Sequence, residues 1–150
     1  MKLKDVINEQ LKAAMKSGDK IRLETIRSIR ALILEFEKSG INREMNEEEE
    51  LKLVTGAVKK RKESIEQFRA AGREDLAAKE EAELAILLEF LPQQLSESEI
   101  LAEVQRLAGE LGAKSKEDFP KLMPQVMKAL KGKADGKIVR SIVEKSLGMN

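Results

Sequence analysis

Apolar residues recur at helical spacing along almost the whole chain, and glycines and prolines fall at the breaks between these patterns. No alternating run of β-branched residues indicates a strand. The periodicity predicts seven amphipathic helices and an all-α fold class. The apolar faces predict a core that includes Leu3, Val6, Ile7, Leu11, Ala14, Ile26, Ile29, Ile33, Phe36, Leu51, Val54, Val58, Ile65, Phe68, Ile100, Val104, Leu107, Leu111, Phe119, Leu122, Met123, Val126, Met127, Leu130, Ile138, Val139, Ile142 and Val143.

Capping residues predict where several of these helices begin and end. Gly18 follows the first apolar pattern and is typical of a helix C-terminus. Asn46 with Glu49 forms a capping pattern ahead of the third helix, and its acidic first turn suits the helix dipole. The fourth helix is predicted from about Glu74 to Leu91, because Pro92 follows.

The stretch "PQQLSESE" predicts a boundary between two domains. Its proline ends one helix, and Ser96 with Glu99 forms a capping box that begins the next. We predict a helical bundle of about four helices over residues 1–92 and a small domain of three helices over residues 96–150. Two prolines disturb the sixth helix. Either it begins near Pro120 and kinks, or residues 115–118 form a separate turn.

Composition excludes several classes of chemistry. The chain has no cysteine, so it has no disulfide and no thiolate nucleophile or metal ligand. It also has no histidine, which removes the usual general base near neutral pH and the commonest transition-metal ligand. Serines lie at caps or on helices and not in a nucleophile elbow. We therefore predict no catalytic residue, no metal and no cofactor.

The charges are segregated although the formal net charge is only +1. Residues 73–103 carry nine acids and two bases, whereas residues 121–150 carry seven bases and two acids. We expect the acids of the fourth helix to lie on a solvated surface. The first residues do not resemble a signal peptide, and no apolar run is long enough to span a membrane. We predict a cytoplasmic protein without a membrane partner.

The stretch "GKADGK" resembles a phosphate-binding loop but lacks the spacing of a nucleotide-hydrolysing one. Only three residues separate Gly132 from Gly136, and Ile138 stands where a Ser or Thr is required after Lys137. Two interpretations remain. The loop is an ordinary turn with solvated lysines, or it contacts the phosphates of a nucleic-acid backbone.

The second interpretation depends on the start of the last helix. Asp135 is expected to cap it, Gly136 to allow close approach of another backbone, and the helix N-terminus to offer free N–H groups. The candidate nucleic-acid-binding residues are Lys131, Gly132, Lys133, Asp135, Gly136, Lys137 and Arg140. A possible second basic patch is "KKRK" in the third helix, which comprises Lys59, Lys60, Arg61 and Lys62. The alternative for that patch is a solvated helix surface.

Three stretches in order resemble the YqeY-like family: "KKRKESIEQFRAAGREDLAAKEEAE", "LEFLPQQLSESEI" and "GKADGKIV". The segment from Pro124 to Leu147 also resembles the C-terminal tail of GatB, a subunit of the amidotransferase that acts on Glu-tRNA(Gln) and Asp-tRNA(Asn). It is similar as well to an appendage of some bacterial glutaminyl-tRNA synthetases. In these enzymes the related module binds tRNA, and other domains do the chemistry.

The resemblance implies an all-α tRNA-binding module without the catalytic parts, and its basic loop corresponds to residues 131–137. The leading hypothesis is an adaptor that binds tRNA or another structured RNA. A second is a protein-interaction module that docks on an amidotransferase or an aminoacyl-tRNA synthetase through the acidic fourth helix. A third is the carbon–nitrogen ligase activity associated with the family, with glutamine as the amido donor.

Overall fold

The computed structural model describes residues 2–149, and this part of the chain is all-α, as the periodicity predicted. Seven α-helices and one short 3₁₀ turn follow each other without a strand in the described residues. They are α1 (Leu3–Ser17), α2 (Lys20–Lys38), α3 (Glu47–Ala70), α4 (Glu74–Leu88), α5 (Glu97–Leu111), the 3₁₀ turn (Lys116–Asp118), α6 (Phe119–Ala129) and α7 (Gly136–Ser146).

The chain forms two compact units, one up to Leu91 and the other from Pro92 onward. The first contains α1 to α4, and the second contains α5 to α7. Each has its own cluster of buried aliphatic residues. The boundary between the units lies beside Pro92, and the assignment of two domains to residues 1–92 and 96–150 stays a prediction.

The N-terminal unit pairs α1 with α2 and α3 with α4, and α4 also packs on α2. Ile7, Ile26, Ile29 and Leu87 are completely buried where these helices meet. Each lies on the apolar stripe of its helix, so burying the stripe removes it from water while the charged faces remain solvated. The helical spacing in the sequence therefore identified Ile7, Ile26 and Ile29 correctly, whereas Leu87 was not among the predicted core residues.

The predicted caps are confirmed. Gly18 has the left-handed backbone of a helix C-terminus, with φ of 73°. The Asn46 side chain accepts the N–H of Glu49 at 2.8 Å, and the Glu49 carboxylate accepts the N–H of Asn46 at 3.0 Å. Ser96 and Glu99 form the same reciprocal pair before α5. These bonds satisfy N–H groups that have no partner inside their helices.

The predicted end of α4 is wrong by three residues. The helix ends at Leu88 rather than at Leu91. The N–H groups of Glu89, Phe90 and Leu91 bond to carbonyls three residues earlier, so the chain tightens into turns before Pro92. A residue before proline is also disfavoured in the α conformation, which prevents α4 from continuing to the proline itself.

The two prolines near α6 occupy positions that resolve the alternatives. Residues 116–118 form a separate 3₁₀ turn, and α6 begins at Phe119 with Pro120 in its first turn. An N–H group is not needed there, so this proline is well tolerated. The Asp118 carboxylate accepts the N–H groups of Lys114 and Ser115 and holds the turn. Pro124 lies inside α6, where it removes one helical hydrogen bond.

The C-terminal unit packs α5, α6 and α7 around buried aliphatic side chains, among them Val104, Leu122 and Val143. Two predicted core residues are wrong here. Met127 is 41 % exposed and Ile138 is 40 % exposed. The adjacent residues Val126 of α6 and Val139 of α7 are buried in the core. Successive side chains point about 100° apart around the helix axis, so the neighbouring Met127 and Ile138 face the solvent.

Within residues 2–149, no helix is both long enough and apolar enough to cross a membrane.

Replacement of Ile29 by alanine tests the core of the N-terminal unit. Ile29 is completely buried, so we expect Ile29→Ala to lower the free energy of unfolding by about 2–5 kcal/mol through reduced burial and a residual cavity. Ile21→Ala, in the same helix at 39 % exposure, is the matched control and should cost less than about 1 kcal/mol. Urea unfolding followed by circular dichroism measures both, and equal losses would contradict the assigned core.

Candidate nucleic-acid interface

The basic loop connects α6 to α7 and is held by its own backbone. Leu130, after the end of α6, is buried in the core, and the N–H of Lys133 donates to its carbonyl at 2.9 Å. Gly132 adopts a φ of 76°, which favours glycine over any residue with a Cβ atom. The buried side chain of Leu130 and the tight turn at Gly132 therefore fix the backbone of the residues that follow.

A second set of hydrogen bonds ties this loop to the segment before α5. The side-chain amide of Gln94 donates to the carbonyl of Gly132 at 2.7 Å and to that of Pro92 at 2.8 Å. The N–H of Leu95 donates to the carbonyl of Lys133 at 2.9 Å. Sequence reasoning missed Gln94 and Leu95, because no local pattern links residues 38 positions apart. Their contacts engage the carbonyls of the loop and not its lysine side chains.

Asp135 caps α7, as predicted, and this cap changes the chemistry expected at the helix N-terminus. Its carboxylate accepts the N–H of Lys137 at 2.8 Å. One of the N–H groups expected to be free is therefore already engaged. The capping carboxylate also places a negative charge where a phosphate would otherwise interact with the helix dipole. Phosphate binding at this loop therefore has to rely on lysine side chains.

The expected close approach of another backbone to Gly136 stays a prediction, and within residues 2–149 the nearest neighbour of this glycine is a side chain. A Cβ atom at Gly136 would have no backbone atom among its contacts and would lie 3.4 Å from the terminal methyl group of Met127. That is an ordinary van der Waals distance. Met127 from α6 and the first residue of α7 therefore lie side by side at the surface.

The cations of the candidate site differ in what they contact. Lys131, Lys133 and Lys137 belong to the loop and to the first turn of α7, and all three residues are exposed. Arg140 is also exposed, but its guanidinium pairs with Glu144 at 2.9 Å and lies 5.7 Å from the centre of the Phe119 ring. These contacts hold Arg140 along α7, so the three lysines are the main cationic groups of the loop.

An acidic residue from α5 lies close enough to the loop to interact with it. The pKa of Glu103 is lowered, chiefly by its hydrogen bonds with Arg106 and in small part by the charge of Lys133. Because Arg106 already neutralises Glu103, this carboxylate leaves most of the positive potential of the loop in place.

The second predicted basic patch does not present its four cations together. Lys59 and Lys60 are exposed on α3, whereas Arg61 and Lys62 are half-buried. The Arg61 guanidinium pairs with Glu83 at 2.8 Å and Glu80 at 3.4 Å on α4. Lys59 and Lys60 alone stay candidates for an exposed patch.

The expectation that every acid of α4 is solvated is wrong for Glu83. This residue is only 8 % exposed, between α3 and α4. Burial raises the pKa of its carboxyl above the ordinary value of 4.5, and the charge of Arg61 opposes that shift. Sequence alone offered one signal, since Glu83 shares a helical face with Leu87 four residues later. Within residues 2–149 no three acidic side chains converge as a metal site.

These features define a class of protein: an all-helical chain of two units whose second unit exposes a lysine-bearing loop fixed by its backbone. Comparison with known proteins then identifies the family. The family described as Yqey-like protein matches residues 4–147, and this chain belongs to the YqeY-like family.

Three relatives extend the comparison to fungi. The protein "Altered inheritance of mitochondria protein 41, mitochondrial" of Pyrenophora tritici-repentis is 34% identical over 146 residues, which cover 95% of this chain and 79% of the relative. The protein of the same name in Lachancea thermotolerans is 35% identical over 107 residues, or 70% of this chain and 57% of that protein. An uncharacterized protein of Schizosaccharomyces pombe is 36% identical over 94 residues, covering 63% and 76% of the two chains.

The names of these relatives are relevant to the predicted function and to the predicted location of this protein. They mention no enzymatic activity and no RNA. Two of them carry the word mitochondrial, so a cytoplasmic location for this chain stays a prediction.

The buried Glu83 carboxyl gives a testable pH dependence. A raised pKa in the folded state means that this group favours folding most below about pH 4.5, its ordinary value, and that this contribution is lost as pH rises through the folded-state pKa. We therefore expect wild-type protein to lose stability relative to Glu83→Gln as pH rises from 4.5 towards neutrality. Urea unfolding at a series of pH values measures the difference, and a constant difference would contradict the assignment.

Proposed function

We propose that this protein is a non-catalytic adaptor that binds tRNA or another structured RNA through the loop between α6 and α7. The observation that carries the proposal is the set of solvent-accessible lysines, Lys131, Lys133 and Lys137, on a backbone held by Gln94 and Leu95. A prearranged loop loses less conformational freedom on binding than a mobile one. The similarity of Pro124 to Leu147 to the GatB tail supports the choice of RNA as the ligand.

The chemistry of the loop suits phosphates rather than bases. Lysine ammonium groups bind phosphate oxygens as point charges and carry no sequence information. The chain has no Trp or Tyr, and its four Phe are the only aromatic residues. Phe119, the one that borders this site, is half-buried beneath Arg140. Recognition would therefore depend on the shape and backbone of a folded RNA and not on stacking with exposed bases.

The alternative of docking through an acidic α4 receives less support from the contacts. Several carboxylates of this helix are already paired with arginines of the same unit. The pairs are Arg61 with Glu80 and Glu83, Arg69 with Glu74 and Glu81, and Arg73 with Asp75. A carboxylate neutralised inside its own unit attracts a basic partner weakly. Recovery of a synthetase or amidotransferase from nuclease-treated lysate would favour this alternative over RNA binding.

The proposal that the protein is non-catalytic depends on whether a candidate acid or base is accessible to a substrate. The buried carboxylate, Glu83, is paired with Arg61 between two helices and is closed off from any substrate by that packing. A ligase activity of the purified chain on glutamine, ATP and a charged tRNA would contradict this part, whatever the result for RNA binding.

Charge reversal in the loop tests the RNA proposal. We expect Lys133→Glu with Lys137→Glu to weaken binding of unmodified tRNA by on the order of tenfold or more, because two phosphates of the RNA would no longer meet a cation. The slope of log affinity against log salt should become shallower by about 1.4 to 1.8. Filter binding across a salt series measures both quantities.

A control with the same change in charge separates the loop from general electrostatics. Lys114→Glu with Lys116→Glu alters two exposed lysines of the same unit that lie outside the loop. This control should retain most of the affinity. If wild-type protein does not bind tRNA at low salt, or if both double variants lose affinity equally, the proposed site is wrong.

A further inference from the structure

The distribution of ion pairs singles out two arginines. All nine arginines of the chain lie in the described residues, and seven of them pair with a carboxylate. The paired ones are Arg22, Arg43, Arg61, Arg69, Arg73, Arg106 and Arg140. Within residues 2–149, Arg27 and Arg30 have no such partner, and both are exposed.

These two arginines share a face of α2 with one lysine. Arg27 and Arg30 are three residues apart in the helix, and Lys20 lies seven residues before Arg27. At about 100° per residue the three side chains fall within an arc of about 80°, and they extend for about 15 Å along the helix. Ile26, Ile29 and Ile33 form the buried side of the same helix. The cations therefore form one exposed stripe, which we call the α2 stripe.

Nearby acids do not neutralise the α2 stripe. Asp19 caps α2 through the N–H of Arg22 and lies 3.9 Å from the guanidinium of the same residue. Glu24 pairs with Lys79 of α4 at 3.6 Å. Glu37 is paired with Lys4 of α1. These three carboxylates are engaged elsewhere. Glu35, the remaining acid of α2, lies five residues after Arg30 and about 140° from it around the helix axis, so it does not neutralise the stripe either.

An uncompensated pair of arginines suits phosphate more than other anionic surfaces. The guanidinium fork binds phosphate oxygens through two parallel hydrogen bonds. The stripe has no exposed large apolar residue between Arg27 and Arg30, whereas protein interfaces need an apolar centre and membrane surfaces need an inserting side chain. A run of about 15 Å is long enough to contact successive phosphates of a nucleic-acid strand.

We infer that the α2 stripe, formed by Lys20, Arg27 and Arg30, is a second phosphate-binding surface that contacts the backbone of the RNA. The inference rests on the proposed function for the identity of the ligand, but it adds a site on the other unit of the chain. The two surfaces would contribute separate phosphate contacts, so loss of either should reduce the salt dependence of RNA binding.

Neutral replacement of both arginines tests the stripe in the full chain. We expect Arg27→Gln with Arg30→Gln to weaken tRNA binding and to make the log–log salt slope shallower by about 1.4 to 1.8, one increment for each phosphate that the variant no longer neutralises. The thermal unfolding transition should be unchanged, since neither side chain makes a hydrogen bond or ion pair within residues 2–149.

A matched control makes the same change in net charge at two residues that lie outside the α2 stripe. Arg69→Gln with Arg73→Gln alters two exposed arginines of the same unit that are already paired with carboxylates. This control should leave the salt slope within about 0.5 of wild type. A control that shifts the slope as far as the stripe variant does would overturn the inference, because net charge alone would then explain the weaker binding.

The outcomes distinguish this inference from the proposed function. If Lys133→Glu with Lys137→Glu weakens tRNA binding and the stripe variant does not, the proposed function of the loop is supported and the inference about the α2 stripe is overturned. If wild-type protein binds no tRNA, both are overturned. Weaker binding of the stripe variant to phosphatidylserine vesicles or to a poly-glutamate peptide, with tRNA binding unchanged, would assign the stripe to a different class of partner and would also overturn the inference.

Discussion

Burial of one aliphatic stripe on each helix is the interaction on which the rest of the structure depends. The chain has no disulfide, and its aromatic residues are four Phe, so Ile, Val and Leu supply nearly all of the buried surface. The two clusters of buried residues belong to different units and do not share a residue. Because each unit is stabilised by its own apolar core, the opposite, solvent-facing side of each helix can carry charged residues.

Arginine placement then decides which charges are available for binding. Most arginines are used within their units, as in the pairs of Arg61 with Glu83 and of Arg22 with Glu89. The arginines of the α2 stripe instead make no ion pair within residues 2–149, and the lysines of the loop are exposed. A net charge of only +1 hides this difference, since electrostatic attraction to a polyanion depends on local charge.

Prediction from sequence succeeded where the determinants are local and failed where they are distant. Capping at Asn46 and Ser96 depends on residues three positions apart, and it was predicted correctly. The errors at Met127 and Ile138 arose because a broad apolar face contains more apolar residues than the core can bury. The burial of Glu83 depends on Arg61 across two helices, which helical periodicity does not report.

The sequence by itself determined the all-α class, the helix caps, most core positions and the location of the basic loop, because these depend on spacing within a few turns. Tertiary structure alone decided that Gln94 and Leu95 hold this loop, that Glu50 accepts the first N–H of α1 at 2.5 Å, and that Arg27 and Arg30 are left without an ion pair within residues 2–149. The physical reason is that each of these outcomes depends on which side chains from distant parts of the chain lie within hydrogen-bonding distance, and only the packing of the helices determines that.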